Sequence, residues 1–156
     1  MSAVSDILKS IYLPKMVRVR QTFDNTVVQD VPGEIRGQLG NGFPHGIHKG
    51  MRIAITCGSR GIANLPVIMR TIVDFCKEQG AEPFLIPAMG SHGGATAEGQ
   101  RAVLTALGVT EETCGCPIYR SMETQVIAQT PEGYPVQIEK NAAQADGIIV
   151  VNRIKP

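Results

Sequence analysis

Residues 51–87 read MRIAITCGSRGIANLPVIMRTIVDFCKEQGAEPFLIP, and this stretch predicts a strand, a helix and a second strand. The short apolar runs at residues 51–56 and 82–87 are typical of buried strands. Between Leu65 and Cys76, apolar residues recur three or four positions apart, which is the pattern of an amphipathic helix. A unit of this kind, about 30 residues long, has parallel strands and a right-handed crossover.

The alternation continues beyond the second strand. A glycine-rich segment at residues 89–95 (MGSHGGA) leads into a helix predicted over residues 96–107. A short helix is predicted over residues 139–145, and the run GIIVV at residues 147–151 predicts a strand covered on both faces. The pattern therefore indicates the α/β class, with a Rossmann-like parallel sheet and helices on both faces.

Two regions depart from this alternation. Residues 125–129 and 134–138 flank Thr-Pro-Glu-Gly at residues 130–133, a type I turn pattern that predicts a β-hairpin attached to the sheet. In the less regular N-terminal region we expect a helix over residues 5–12, a strand over residues 15–22 and a short helix within residues 31–39. No internal repeat or low-complexity linker divides the chain, so residues 1–156 are expected to form a single α/β domain.

The composition argues against several classes of partner. The chain has 15 basic and 14 acidic side chains and no long run of Lys and Arg, so it lacks the basic patch that binds nucleic acid or an anionic membrane. No stretch approaches the roughly 18 apolar residues of a membrane span, and the N-terminal residues lack the apolar core of a signal peptide. We therefore expect a small-molecule partner and a cytoplasmic location.

The cysteines and two of the histidines give no metal-site pattern. In a cytoplasmic protein the four cysteines are expected to be free thiols: Cys57, Cys76, Cys114 and Cys116. Cys114 and Cys116 are too close in sequence for a zinc-ligand pair, and no second pair stands at a matching distance. His45 and His48 are expected to be exposed loop residues. No metal site is expected in this chain.

The candidate site lies in the loops that follow the predicted strands. Open parallel sheets bind ligands at the carboxyl ends of their strands, which points to residues 57–61, residues 88–95 and the segment from residue 152 onward. The first loop carries Ser59 and Arg60, and an arginine fork can hold a carboxylate or a phosphate. Arg60 is therefore either part of an anion site or a solvated loop residue.

The second loop places His92 among glycines, just before a helix N-terminus. A glycine-rich backbone at that position can bind an anion, and an imidazole suits proton transfer near neutral pH, although a structural role is the competing interpretation. The residues expected to form a cofactor or anion loop are Gly58, Gly90, Ser91, Gly93 and Gly94. Their spacing differs from the G-x-G-x-x-G pattern of dinucleotide sites, which disfavours NAD.

Cys57, at the end of the first strand, opens an alternative. A thiol there, activated by His92, would make the protein a Cys/His hydrolase or transferase. The sequence supplies no third group to orient the pair, and a small buried core cysteine is the simpler interpretation.

Four segments together resemble a known enzyme family. They are residues 90–96 (GSHGGAT), 107–111 (LGVTE), 130–136 (TPEGYPV) and 145–156 (ADGIIVVNRIKP). In this order and spacing they resemble the N-terminal domain of the lactate racemase-like family, the nickel-pincer-nucleotide-dependent racemases and epimerases. The resemblance extends from about residue 49 to the last residue.

The resemblance implies an isomerase that inverts a 2-hydroxy acid by moving a hydride onto a nickel-pincer nucleotide, a pyridinium-derived cofactor that carries nickel, and back. On this chain it implies that His92 is the catalytic acid/base on the substrate hydroxyl, and that Ser59 and Arg60 bind the substrate, Arg60 through the carboxylate. Cys57 and Gly61 stand where the lactate racemases proper have an acid and a proline. The resemblance is therefore to a divergent branch, whose substrate the sequence does not assign.

The resemblance also implies a longer, two-domain enzyme of which this chain is the N-terminal part. In the family, a histidine follows the Lys-Pro of residues 155–156 and the lysine that tethers the cofactor lies further on, so Lys155 is not that tether. The C-terminal domain, the metal ligands and the bound cofactor are expected to be absent from residues 1–156. The alternative is a non-catalytic anion-binding module that uses Arg60 and residues 90–94.

Overall fold

The computed structural model describes residues 15–24, 26–42 and 46–154. In chain order the elements are α1 (Val31–Gly42), β1 (Arg52–Cys57), α2 (Leu65–Glu78), β2 (Glu82–Pro87), α3 (Ala97–Ala106), α4 (Glu111–Cys114), β3 (Thr124–Gln129), β4 (Pro135–Glu139), α5 (Lys140–Ala143) and β5 (Gly147–Ile149). A single 3₁₀ turn, His92–Ala95, lies between β2 and α3. The predicted α/β class is confirmed. None of the helices in the described ranges is long and apolar enough to cross a membrane.

The main sheet contains three parallel strands in the order β2-β1-β5. Ala54, in the middle of β1, lies opposite Phe84 on one side and Ile148 on the other. Ile118 adds a parallel bridge to Leu85 on the outer edge of β2. β2, the next strand in the sequence, and β5, the last of the described strands, thus lie on opposite sides of β1. The carboxyl end of β1 is therefore a topological switch point, the usual place for a ligand site in an α/β fold.

Helices cover both faces of this sheet, as the sequence predicts. The larger core forms on the face covered by α2 and α3, and its fully buried members include Ile53, Ile55, Met69, Val73, Leu85 and Leu104. The smaller core, on the opposite face, is formed by Ala54, Phe84, Ile86 and Ala142. Because successive residues of a strand point to opposite faces, burial on both faces requires the almost wholly apolar sequences of β1 and β2.

The hairpin predicted around residues 130–133 is formed by β3 and β4. The Gly133 N–H donates to the Thr130 carbonyl at 2.9 Å, which closes the predicted turn. The hairpin is a sheet of its own, and it joins the rest of the domain through α5. At that junction the Lys140 N–H donates to the Glu123 carbonyl at 3.0 Å, and Lys140 Nζ pairs with a Glu123 carboxylate oxygen at 2.6 Å.

The N-terminal predictions have different outcomes. The helix predicted over residues 5–12 lies outside the described residues. The strand predicted over residues 15–22 is wrong, because no described strand pairs with this stretch, and Met16, Val17 and Val19 are exposed. The short helix predicted within residues 31–39 is confirmed as α1, which extends to Gly42.

The C-terminal strand is less covered than predicted. The run at residues 147–151 is a strand only over Gly147–Ile149, and Ile148 remains 39% exposed. The prediction that both faces are covered is wrong because β5 is an edge strand, and only the Ile149 side packs on the larger core. The preceding helix is also shorter than predicted and spans Lys140–Ala143.

Candidate functional site

An open cleft of about 370 Å³ lies at the carboxyl ends of the main-sheet strands. It is lined by Ser59, Arg60, Ala88, Met89, Gly90, Ser91, His92 and Asn152. These residues come from the three loops that the sequence analysis selects. Among the residues that the structure describes, Arg60 is the only one in this lining that carries a permanent charge, and none of the lining side chains is a carboxylate. The cleft therefore favours an anionic ligand over a cationic one.

Side chains from the loop after β1 hold His92 at both ring nitrogens. Ser59 Oγ lies 2.7 Å from His92 Nδ1, and Arg60 Nε donates to His92 Nε2 at 2.8 Å. Arg60 Nη2 also contacts Nε2. A guanidinium can only donate, so Nε2 is the unprotonated acceptor and the ring proton lies on Nδ1, where it is donated to Ser59 Oγ. The contacts thus select the Nδ1–H tautomer of a neutral imidazole.

Two glycines let the loop after β1 pack closely against the segment that follows β5. A Cβ atom at Gly58 would lie 2.8 Å from Asn152 Oδ1. At Gly61, where φ is +56°, a Cβ atom would collide with the guanidinium of Arg153. The atoms met at both positions belong to exposed side chains that can shift, so the firmer demand for glycine is the positive φ at Gly61. The two loops therefore form one rim of the cleft.

The loop that carries His92 is fixed by its contact with α3. Gly93 and Gly94 both have φ of +67°, but a Cβ atom at Gly93 would overlap the backbone of Gly99, whereas one at Gly94 would meet open space. Gln100 is buried, and its Nε2 donates to the Gly90 carbonyl at 3.0 Å. The backbone that precedes and follows His92 is thus held by the first turns of one helix.

The structure separates the predicted site residues into two groups. His92, Ser59, Arg60, Gly90 and Ser91 line the same cleft. The other three do not line it: Gly58 is buried against the rim, Gly93 packs on α3, and Gly94 is exposed. The first turn of α3 is likewise not part of the lining. The side chains that the sequence selects therefore line the cleft, whereas three of the five selected loop residues, all glycines, lie outside its lining.

Two residues at the site were not named among the site residues from sequence, although Asn152 begins one of the three segments that the sequence selects. Asn152 lines the cleft, and its Oδ1 accepts from the Arg153 N–H at 2.8 Å. Its position directly after the last apolar run is a signal that could identify it. Gln100 is a polar residue on the buried side of α3, and its partner, the Gly90 carbonyl, follows from tertiary packing rather than from any local pattern.

All four cysteines are buried free thiols, as predicted. Burial raises the pKa of the Cys57 thiol to about 12, and the neighbouring Cys114 adds to the rise. Cys57 Sγ lies 3.7 Å from the Gly58 carbonyl oxygen, whereas His92 is engaged by the Ser59 and Arg60 side chains. A thiol in this environment is not poised to ionise, so the structure disfavours a Cys57 nucleophile activated by His92.

Within residues 15–24, 26–42 and 46–154, no group of three metal-ligating side chains is placed to hold a metal ion. His92 is the one such side chain in the cleft lining, and both of its nitrogens are engaged. His48 is exposed, and His45 lies outside the described residues. The described residues therefore do not fit a nickel ion.

Comparisons of the chain with protein-family models, curated proteins and solved structures found no match.

Proposed function

We propose that this chain is the N-terminal part of a lactate racemase-like isomerase that inverts the configuration at C2 of a 2-hydroxy acid. The observation that carries the proposal is the cluster of Ser59, Arg60 and His92 in one cleft, within hydrogen-bond distance of one another. The resemblance assigns acid/base chemistry and substrate binding to these same residues. Their meeting at the switch point of the sheet supports that assignment.

Inversion at C2 needs a group that handles the hydroxyl proton. When the C2 hydrogen leaves as a hydride, the hydroxyl must lose a proton so that a 2-keto acid forms. Both return when the hydride is delivered to the opposite face. In this proposal His92 takes and returns the proton at Nε2 while Ser59 keeps the ring oriented through Nδ1. The resemblance assigns the hydride acceptor to the nickel-pincer nucleotide, and the described residues supply none.

Inversion also needs a fixed point on the substrate, so that only the configuration at C2 changes. The Arg60 guanidinium can bind a carboxylate through two parallel hydrogen bonds, which fixes both position and orientation. The lack of carboxylates in the cleft lining and the volume of about 370 Å³ suit a small organic anion. A 2-hydroxy acid carries the required carboxylate and hydroxyl on adjacent carbons.

We also propose a cytoplasmic location and no nucleic-acid or membrane partner. The four buried, unpaired thiols support a reducing compartment. The near balance of 15 basic and 14 acidic residues supports a small-molecule partner over a polyanion.

The experiment measures inversion at C2 for a panel of 2-hydroxy acids, using the two-domain enzyme loaded with its cofactor. We expect His92→Asn to lower kcat by about 10²–10⁴, the usual contribution of an acid/base group. His48→Asn, which changes an exposed histidine, is the matched control and should leave kcat unchanged. Inversion of no acid in the panel, or full activity of His92→Asn, would count decisively against the proposal.

A second candidate, an anion-binding module without catalysis, is favoured by Arg60 as the one permanently charged residue of the cleft lining. It predicts that the 156-residue chain binds phosphate or acetate in calorimetry and that Arg60→Ala abolishes the binding. Arg101→Ala, on the exposed side of α3, should bind as the parent does. Calorimetry that detects no anion binding would eliminate this candidate.

A further inference from the structure

We infer that Arg60 acts as a latch on His92, the proposed base. Without ligand, the Arg60 guanidinium occupies His92 Nε2. A carboxylate ligand draws the guanidinium away and so frees Nε2 to accept the proton of the substrate hydroxyl. The inference rests on the proposed function, because it concerns the same cleft and the same histidine. It adds an order of events, in which binding of the anion precedes and permits proton transfer.

Arg60 uses one edge of its guanidinium both for its contact with His92 and for binding a carboxylate. Its Nε and Nη2 both contact His92 Nε2, and these two groups form one of the edges with which a guanidinium binds a carboxylate through two parallel hydrogen bonds. That edge cannot hold the imidazole and a carboxylate at once. A carboxylate bound there must release the Nε2 lone pair.

The imidazole and a carboxylate match that edge of the guanidinium to different degrees. His92 Nε2 offers a single lone pair to two N–H donors, whereas a carboxylate offers two oxygens, each with its own lone pairs, and a full negative charge. The Arg60–imidazole bond is already charge-assisted by the guanidinium, and a carboxylate adds a second charge and a two-point match to the same edge. A carboxylate that enters the cleft is therefore the better partner, and exchange from His92 to the ligand is favourable.

The Arg60 side chain can move while its loop stays in place. Arg60 is exposed, and it forms no ion pair with any carboxylate of the described residues. The end of β1 is joined to the segment after β5, because the Val151 N–H donates to Thr56 Oγ1 at 2.9 Å. Ser59 is half-buried and stays on Nδ1, so it acts as a positioning residue that keeps the freed ring aimed into the cleft.

The latch makes the carboxylate a condition for chemistry as well as for binding. An alcohol without a carboxylate leaves Arg60 on Nε2, so the base has no free lone pair for its proton. A 2-hydroxy acid removes that block as it binds. The cleft thus discriminates against neutral alcohols both in binding and in proton transfer.

The experiment is ¹⁵N NMR of the His92 ring in the labelled 156-residue chain, with the resonances assigned by their loss in His92→Gln. Racemic sodium lactate is the probe, and lactamide is its neutral counterpart. We expect lactate, but not lactamide, to shift the Nε2 resonance while Nδ1 stays protonated. In Arg60→Gln the Nε2 resonance should be shifted already and should not respond to lactate. Arg101→Gln, the matched control, should behave as the parent.

Ser59→Ala tests the positioning role in the same spectra. We expect its ring to lose the preference for the Nδ1–H tautomer once lactate has drawn Arg60 away, and Ser59→Thr to restore it. The backbone amide spectrum reports whether each variant is folded. A ring that keeps the Nδ1–H tautomer in lactate-bound Ser59→Ala would remove Ser59 from this role.

The outcomes separate the latch from the isomerase. If lactate shifts the Gly90 and Ser91 amides to saturation but leaves His92 Nε2 unchanged, the latch is wrong and the proposed function is untouched. If lactate changes neither up to its solubility limit, this carboxylate does not recruit Arg60 and the latch, as stated for a small carboxylate, is again wrong. Inversion at C2 by the cofactor-loaded enzyme then decides the isomerase independently.

Discussion

At the level of single residues, the imidazole of His92 is held at both nitrogens by neighbours from another loop. Such contacts fix both the orientation of the ring and the position of its proton, and an acid/base group needs both. The residue types of Ser59, Arg60 and His92 indicate anion and proton chemistry from sequence alone. Their mutual contacts could not be predicted, because they join positions 32 and 33 residues apart through loops whose shape depends on packing.

The buried thiols give a prediction for alkaline pH. Burial raises the pKa of Cys57 and Cys116 to about 12, from an ordinary value of 9.0. Between these values the unfolded chain loses thiol protons that the folded chain keeps. The free energy of unfolding therefore falls as the pH rises through this window, by up to about 1.4 kcal/mol per pH unit for each thiol.

Urea unfolding of reduced protein at several pH values from about 8 to 11 measures this slope. Cys57→Ala removes one of the titrating thiols, so its stability should fall less steeply over the same window. Equal slopes in the variant and the parent would contradict the burial argument for Cys57.

At the level of elements, the loop after β2 is built onto the start of α3. The backbone of Gly93 lies against that of Gly99, and Gln100 Nε2 donates to the Gly90 carbonyl, so the loop is held on both sides of His92. These two contacts are called the clamp below. The clamp explains why a catalytic candidate can lie on a glycine-rich loop and still be well positioned. The clamp links the packing of a helix to the geometry of the cleft.

Gly93 and Gly94 form a matched pair for testing the clamp. They share a φ of +67°, but only Gly93 lacks room for a Cβ atom. Gly94→Ala should cost about 1–2 kcal/mol of stability from backbone strain alone. Gly93→Ala should cost clearly more and should disturb the His92 ring resonances as well. Urea unfolding and NMR measure the two effects, and equal losses in both variants would show that the contact with Gly99 is unimportant.

Some elements are predictable from local pattern and others are not. The helix α2 and the strands β1 and β2 are marked by strong apolar periodicity or continuous apolar runs, and their predicted positions agree with the structure to within two residues. The strand predicted over residues 15–22 fails because a strand needs a partner, which its own sequence does not reveal. The exposure of Ile148 in β5 likewise follows from the position of this strand at the edge of the sheet.

At the level of the whole molecule, the strand order brings the site together. Because β1 has β2 on one side and β5 on the other, the loops after these three strands meet at one edge of the sheet. The general rule for open α/β sheets predicts this edge, so the location of the cleft could be inferred before the structure was known. The division between lining residues and supporting glycines could not, because it depends on contacts between loops.

The central claim is that His92, released by a carboxylate and held by Ser59, carries the hydroxyl proton during inversion at C2. The most direct measurement follows a 2-hydroxy acid deuterated at C2 in the cofactor-loaded two-domain enzyme, comparing the parent with His92→Asn. We predict that the parent inverts C2 and retains the deuterium, and that His92→Asn does not invert it at a comparable rate. Loss of the deuterium to solvent, or unchanged inversion by His92→Asn, would contradict the account.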